Sequence, residues 1–470
     1  MADGLLQNYI AGDWVEGTSE IENINPSDLS EVVARHALAD TNQANQAIEA
    51  AQAALSTWKN ANPQTRFDIL DTIGRIVISR QDELGEILAR EEGKTLGEAK
   101  GEVFRAGQFF QFYAAEAIRR TGEQNLSTRP NIDIEIVREP IGVTVLITPW
   151  NFPIAIPAWK IAPALAHGNT VVLKPSEITP TSAYYLTKIM EEAGLPAGVF
   201  NLLVARGEDI GETLVSHPAV AGISFTGSVP TGRKIAQGAI QNMKKIQMEM
   251  GGKNPMVIME DADLDVAIPV TINGAFYQTG QRCTASSRVI VHEKIYDAFV
   301  ERFVKEMEGL SVGPALDPKT QVGPVVSETQ LKSNLSYIEI ARNEGCEVVS
   351  GQHLAERNTG FFQRPGIFLN ATNQMRSSRE EIFGPLASII KVDNFDEAVA
   401  TANDTEFGLS SAICTTSLYY AREFKRQSEA GMAMVNLPTA GVDYHVPFGG
   451  RKNSSYGSRE QGRAAIDFYT

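Results

Sequence analysis

The chain has 470 residues, 43% hydrophobic and 21% charged, with 39 glycines and 22 prolines; this length holds two or three domains of ordinary size and the proportions exclude a disordered or fibrous protein. Forty-two basic against 57 acidic residues leave a net charge of −15, which gives nucleic acid no electrostatic footprint. The three cysteines, Cys283, Cys346 and Cys414, are too few and too far apart for a disulfide framework or a C-x2-C metal pair, so no metal is expected.

The first nine residues lack the basic start and apolar core of a signal peptide, and a cytoplasmic location is expected. Residues 40–118 read as amphipathic helices, with Ile69, Ile73 and Ile76 at helical spacing around Asp71 and Arg75. Residues 132–138 alternate apolar and charged side chains, the pattern of a strand with one wet face, either an ordinary surface strand or an assembly arm. The uncharged residues 140–159 are long enough for a membrane helix, but Pro140, Pro149, Pro153 and Pro157 make them strand, loop and helix start; no membrane partner is expected. From 143 to 259, β-branched runs at 143–147, 170–173, 199–204, 220–225 and 246–250 alternate with helical segments, which implies right-handed crossovers and a parallel sheet. New strands at 287–291, 386–392 and 433–436 repeat the pattern, so the fold class is α/β with a second α/β domain.

Open parallel sheets bind ligands at the carboxyl ends of their strands, and chemistry-bearing residues stand there. Lys174-Pro175-Ser176-Glu177 offers a cation and a carboxylate suited to the two hydroxyls of a ribose, or a solvated surface pair. Thr226-Gly227-Ser228 precedes a helix whose N–H groups could face a phosphate, although a plain glycine turn has the same look and G-x-G-x-x-G is absent. Cys283 lies in the polar stretch Gly280-Gln281-Arg282-Cys283-Thr284, where a nucleophile finds access and positive potential. Glu249, among apolar neighbours at a strand end, is either a general base with a raised pKa or the partner of Lys253. Asn151 follows another strand and is either a turn residue or a donor to an oxyanion.

Trp150-Asn151-Phe152-Pro153, Lys174-Pro175-Ser176-Glu177, Phe225-Thr226-Gly227-Ser228, Met248-Glu249-Met250-Gly251-Gly252-Lys253, Gly280-Gln281-x-Cys283, Glu380-Glu381-Ile382-Phe383-Gly384-Pro385 and Pro447-Phe448-Gly449-Gly450 occur in one order, with 34 residues from Glu249 to Cys283. In these the chain resembles the aldehyde dehydrogenase superfamily along essentially its whole length. The resemblance implies a Rossmann-like cofactor domain (1–120 and 141–251), a second α/β catalytic domain (252–446), and a small β oligomerisation arm (121–140) grouped with a C-terminal segment (447–470). It implies Cys283 as nucleophile, Glu249 as general base, and Asn151 with the Cys283 N–H as oxyanion donors. The implied cofactor is NAD, with NADP accepted: Lys174, Ser176 and Glu177 at the adenosine ribose, Gly227 and Ser228 at the pyrophosphate, Trp150 as a cleft wall, and Glu381 with Phe383 at the nicotinamide ribose. Thr148, Gly207 and Gly251 complete that set. A carboxylate at Glu249 implies a free acid as product rather than an acyl-CoA.

The stretch from Ser454 to Gly462 is one residue longer than the common family form. Within the family the chain looks most like the dehydrogenases of α-ketoglutaric semialdehyde, with Trp159 and Tyr277 as an apolar sleeve and Arg282 attracting an acidic aldehyde and favouring the Cys283 thiolate. Succinate-semialdehyde, betaine-aldehyde or broad aliphatic aldehyde dehydrogenases are the alternatives, and a catalytically silent scaffold a distant one. The expected assembly is a homodimer or homotetramer.

Overall fold

The helical periodicity after Asp40 becomes four helices, Thr41–Lys59, Pro63–Ser79, Gln81–Glu92 and Leu96–Ala117, in the computed structural model, which describes residues 4–119, 122–354 and 359–470. Their starts have local causes. Asp40 and Thr95 form capping boxes with Gln43 and Glu98, and Asn62 caps a helix that opens with Pro63. Helix Leu96–Ala117 buries Phe109, Phe110 and Tyr113 and packs against helix Ala155–Ala166.

Eight strands form the first sheet, in the order Ser455–Tyr456, Lys245–Glu249, Val220–Thr226, Val143–Ile147, Thr170–Lys174, Phe200–Leu202, Asn8–Ile10 and Asp13–Val15. The five from Lys245–Glu249 to Phe200–Leu202 are parallel. Both faces are buried. Val143, Val145 and Val172 enter one core, and Leu146, Val171 and Leu173 the other, as expected of a parallel sheet covered by helices on both sides. The register sets Ile147 beside Lys174 and Thr226 beside Glu249, so the loops after these strands open on one edge.

A second sheet of seven strands runs Glu347–Ser350, Gly366–Leu369, Leu386–Val392, Ser286–His292, Asn254–Ile258, Ser410–Cys414 and Met432–Val435, parallel except at Glu347–Ser350. A smaller sheet joins Leu5–Leu6, Val32–Leu38 and Ser19–Ile24.

Strand Asp133–Ile136 pairs with Glu123–Leu126, and every residue of both strands is exposed in the single chain. Within residues 447–470, Ser455–Tyr456 completes the edge of the first sheet against Lys245–Glu249, Phe468 is buried in the core beside helix Ala155–Ala166, and Asp467 pairs with Arg138 at 2.8 Å. The expected boundary at 120–121 lies outside the described residues.

Candidate active site

Cys283 sits in the loop between a short turn, Tyr277–Gly280, and strand Ser286–His292. Gln278, Thr279 and Gly280 all adopt left-handed backbone, with φ of 54°, 57° and 65°, and a side chain at Gly280 would meet Gly384 O at 2.2 Å. Such strain persists only where surroundings hold it. Here Thr279 Oγ1 donates to Gly323 O at 3.1 Å, Gln281 Oε1 accepts from Val326 N at 2.9 Å, and Asn254 Nδ2 donates to Cys283 O at 2.8 Å. Asn151 joins the loop from the first sheet, its Nδ2 donating to Gln281 O at 3.0 Å.

The half-buried Cys283 thiol is pushed up to about 12, first by burial and then by Glu381 and Glu249, while the N–H groups of Cys283 and Thr284 oppose the shift. At Arg282 burial outweighs the charge of Cys283, which acts in the direction that keeps the guanidinium protonated. The Arg282 guanidinium is turned to Asn273 O and Gly274 O at the end of helix Leu264–Phe276, and burial lowers its own pKa to about 10.

A cavity of about 360 Å³ opens over Cys283, with Phe109, Phe152, Trp159 and Phe448 as its apolar wall and Glu98, Glu102, Arg105, Gln278 and Arg282 as polar lining. Trp159 is braced by Phe109 and Phe448, at ring separations of 5.8 and 5.4 Å. Tyr277 is corrected: it is not part of this wall but packs on the core of the second sheet, because the left-handed turn that follows presents Gln278 to the cavity instead.

Glu249 ends its strand fully inside the protein. Its Oε2 accepts from Ser455 Oγ at 2.5 Å, and its Oε1 has no hydrogen-bond partner among the described residues. Burial and then Glu460 raise its pKa well above the carboxylate range, against Ser455, Lys160 and Arg459. Pairing with Lys253 does not occur; Lys253 Nζ donates to Ser377 O at 2.8 Å, and burial brings it down to about 7. The buried Lys160 is bonded instead to Glu460 and, at 2.7 Å, to Ser224 Oγ. Lys160, Glu460 and Ser455 were not among the sequence-derived candidates, and neither was Lys94. That fully buried ammonium donates to Asn151 O at 2.7 Å and to Glu102 Oε2 at 2.6 Å, while Glu102 Oε1 accepts from Ile154 N and Ala155 N. A Lys inside an apolar run such as Ala158-Trp159-Lys160-Ile161 was the available signal, since an ammonium there requires a buried partner.

The other residues gather along the strand ends. Thr148 N donates to Lys174 O at 3.1 Å, and its hydroxyl, like that of Thr226, is buried without a partner among the described residues. Lys174 Nζ and Glu177 Oε2 lie 3.0 Å apart, with Ser176 Oγ accepting from Ile178 N. Gly227 N donates to Glu249 O at 3.0 Å, and a side chain at Gly227 would strike the Phe225 ring at 2.6 Å. Ser228 then caps helix Val229–Gln241, and Gly207 opens helix Gly207–Ser216. From the second sheet, Glu381 Oε1 accepts from Gly252 N at 2.8 Å, with burial raising it to about 7, and Phe383 sets its ring edge-on to Trp150 at 5.2 Å. A Cβ at Gly251 would lie 2.1 Å from Glu381 Oε2. A helix N-terminus, a donor and acceptor pair for vicinal hydroxyls, and unpartnered hydroxyls at strand ends suit a dinucleotide. Among the described residues no group of three or more His, Cys, Asp or Glu is placed to hold a metal, and no helix is long and apolar enough to cross a membrane.

An Aldehyde dehydrogenase family profile matches residues 14–470, so the chain belongs to that family and is an oxidoreductase acting on an aldehyde. It is 44% identical to the alpha-ketoglutarate semialdehyde dehydrogenase of Haloferax volcanii over 99% of this chain and 97% of that one. It is 41% identical to the alpha-ketoglutaric semialdehyde dehydrogenase of Bacillus subtilis, over 98% and 96%. The crystal structure of betaine aldehyde dehydrogenase from Staphylococcus aureus in complex with NAD+ superposes with a TM-score of 0.96 at 32% identity, over 98% of this chain and 93% of that one.

Proposed function

We propose that the enzyme oxidises α-ketoglutaric semialdehyde to 2-oxoglutarate with NAD, through a thiohemiacetal and a thioester on Cys283. The observation that carries the reading is the loop that sets Cys283 at a cavity with an apolar wall, the Asn151 amide donating to the O of Gln281 two residues before it. Because burial raises the pKa of the thiol, attack begins with loss of its proton to solvent in the cavity, which leaves the Glu249 carboxylate free for the later step. Sulfur then adds to the aldehyde carbon, and the resulting alkoxide accepts hydrogen bonds from Cys283 N–H and Asn151 Nδ2. A bound nicotinamide dinucleotide supplies the hydride acceptor. Glu249 next removes a proton from water, which cleaves the thioester, releases the acid and restores the thiol.

In this reading residues 1–120 and 141–251 hold the cofactor and 252–446 supply the nucleophile. Lys174 and Glu177 take the adenosine ribose beside Ser176, and the Ser228 helix takes the pyrophosphate next to Gly227, with Thr148 and Gly207 nearby. Glu381, laid against Gly251, and Phe383 take the nicotinamide ribose beside Trp150. Glu177 favours NAD by opposing a 2′-phosphate. Trp159 forms the sleeve for the substrate chain. The uncovered Leu126, Ile134 and Ile136 of the arm support a homodimer or homotetramer, and three free cysteines fit the cytoplasm. Absorbance of reduced cofactor with 2,5-dioxopentanoate, succinate semialdehyde, betaine aldehyde and propanal tests the substrate. A preference for betaine aldehyde or propanal refutes it, and turnover by Cys283→Ala refutes the nucleophile.

A further inference from the structure

Helix Leu96–Ala117 presents Glu98, Gly101, Glu102, Arg105 and Phe109 to the cavity, a single stripe at helical spacing. The charges on that stripe are unequal in what they are free to do. Glu102 is neutralised by Lys94. Glu98 is spent on Thr95 N, Thr95 Oγ1 and Gln278 N. Arg105 forms no ion pair among the described residues; it donates to Val442 O, which takes one of its five N–H groups. Arg282, the other cation of the wall, has its Nη2 committed to two main-chain carbonyls. Arg105 stands seven residues along the helix from Glu98, roughly 10 Å at 1.5 Å per residue, which removes it from the carboxylate that would compete with an anionic ligand. Gly101, where a Cβ would meet nothing within 4 Å, leaves space on the same stripe.

We propose that Arg105, rather than Arg282, receives the carboxylate at the far end of an acidic aldehyde and so sets the substrate class. The inference rests on the acidic-substrate reading above. A guanidinium fork binds a carboxylate through two parallel N–H bonds, and here it stands in a cavity whose carboxylates are already engaged by other partners. Recognition of this kind strengthens binding of the acid without altering the chemistry at sulfur.

The test compares 2,5-dioxopentanoate with pentanal, its uncharged five-carbon counterpart, using the full chain and NAD, with glutarate as a competitive inhibitor of pentanal oxidation. Arg105→Gln is expected to raise KM for the keto acid and Ki for glutarate at least tenfold, with kcat and the pentanal KM within twofold of wild type. Arg105→Lys is expected to recover part of the affinity. Intact pentanal kinetics show in the same assay that the variant is folded. Equal losses on both substrates would mean that Arg105 only fastens the Val442 loop, and unchanged keto-acid kinetics would mean that the carboxylate binds elsewhere; either overturns the proposal. Wild-type enzyme that prefers pentanal and ignores glutarate would instead overturn the acidic-substrate reading itself.

Discussion

Gly251→Ala isolates the contact between the two sheets at the cofactor side. The φ of Gly251 lies outside the left-handed region, so alanine costs no backbone strain there; the effect is steric. Its Cβ would lie 2.1 Å from Glu381 Oε2 and 2.5 Å from Cδ, and the buried carboxylate must retreat by about 1 Å to reach ordinary contact. That movement breaks the 2.8 Å bond from Gly252 N to Oε1. A hydrogen bond to a charged group is worth about 1.5–3 kcal/mol, which is about ten- to a hundredfold in affinity. With Glu381 assigned to the nicotinamide ribose, the Kd for NAD, read by fluorescence quenching of the tryptophans, is expected to rise by that factor. Gly251→Ala added to Glu381→Gln is expected to cost little more than either alone, because both act through the same carboxylate. A wild-type Kd for NAD in Gly251→Ala would refute the reasoning.

The other expectations concern charge. Glu249 accepts a proton only when ionised, so with its pKa raised the deacylation rate climbs as pH rises through that value; Glu249→Gln should lose this limb and release one burst of reduced cofactor per site, and a surviving limb counts against the assignment. Lys160→Met leaves Glu460 buried without its cation, with an expected loss of about 3–5 kcal/mol in urea unfolding and an upward move of the Glu249 limb; Glu460→Gln in the same chain should restore most of the stability. Glu177→Gln removes the carboxylate that would oppose a 2′-phosphate, so kcat/KM with NADP relative to NAD should rise several-fold, and an unchanged ratio would move cofactor selection elsewhere.

Strands rich in β-branched and aliphatic residues were legible from the amino acids: residues 143–147 and 386–392 form strands over those same residues. Strands Asn254–Ile258 and Ser410–Cys414, both central to the second sheet, were missed. The first carries Pro255 and the second opens with two serines, features that read as turns unless burial between neighbouring strands is known. At the site, Cys283, Asn151 and Glu249 were visible as polar residues in unusual settings. The partner of Glu249 was not, since nearness in sequence favoured Lys253 while the fold supplied Ser455. Arg105 was hidden for another reason: an arginine on an amphipathic helix looks like a solvated face until another element closes over it.

The antiparallel pairing of Glu249 with Ser455 has a consequence for synthesis of the chain. Asn8–Ile10, Val143–Ile147, Thr170–Lys174, Phe200–Leu202 and Val220–Thr226 are all translated by residue 226, and Cys283 follows soon after, whereas the hydroxyl that holds Glu249 arrives some two hundred residues later than the glutamate. A chain halted before residue 455 therefore holds Cys283 and those five strands, but Glu249 without its hydroxyl partner. On the reading proposed above, release of free acid would have to wait for residue 455, because Ser455 is the donor that holds the Glu249 carboxylate.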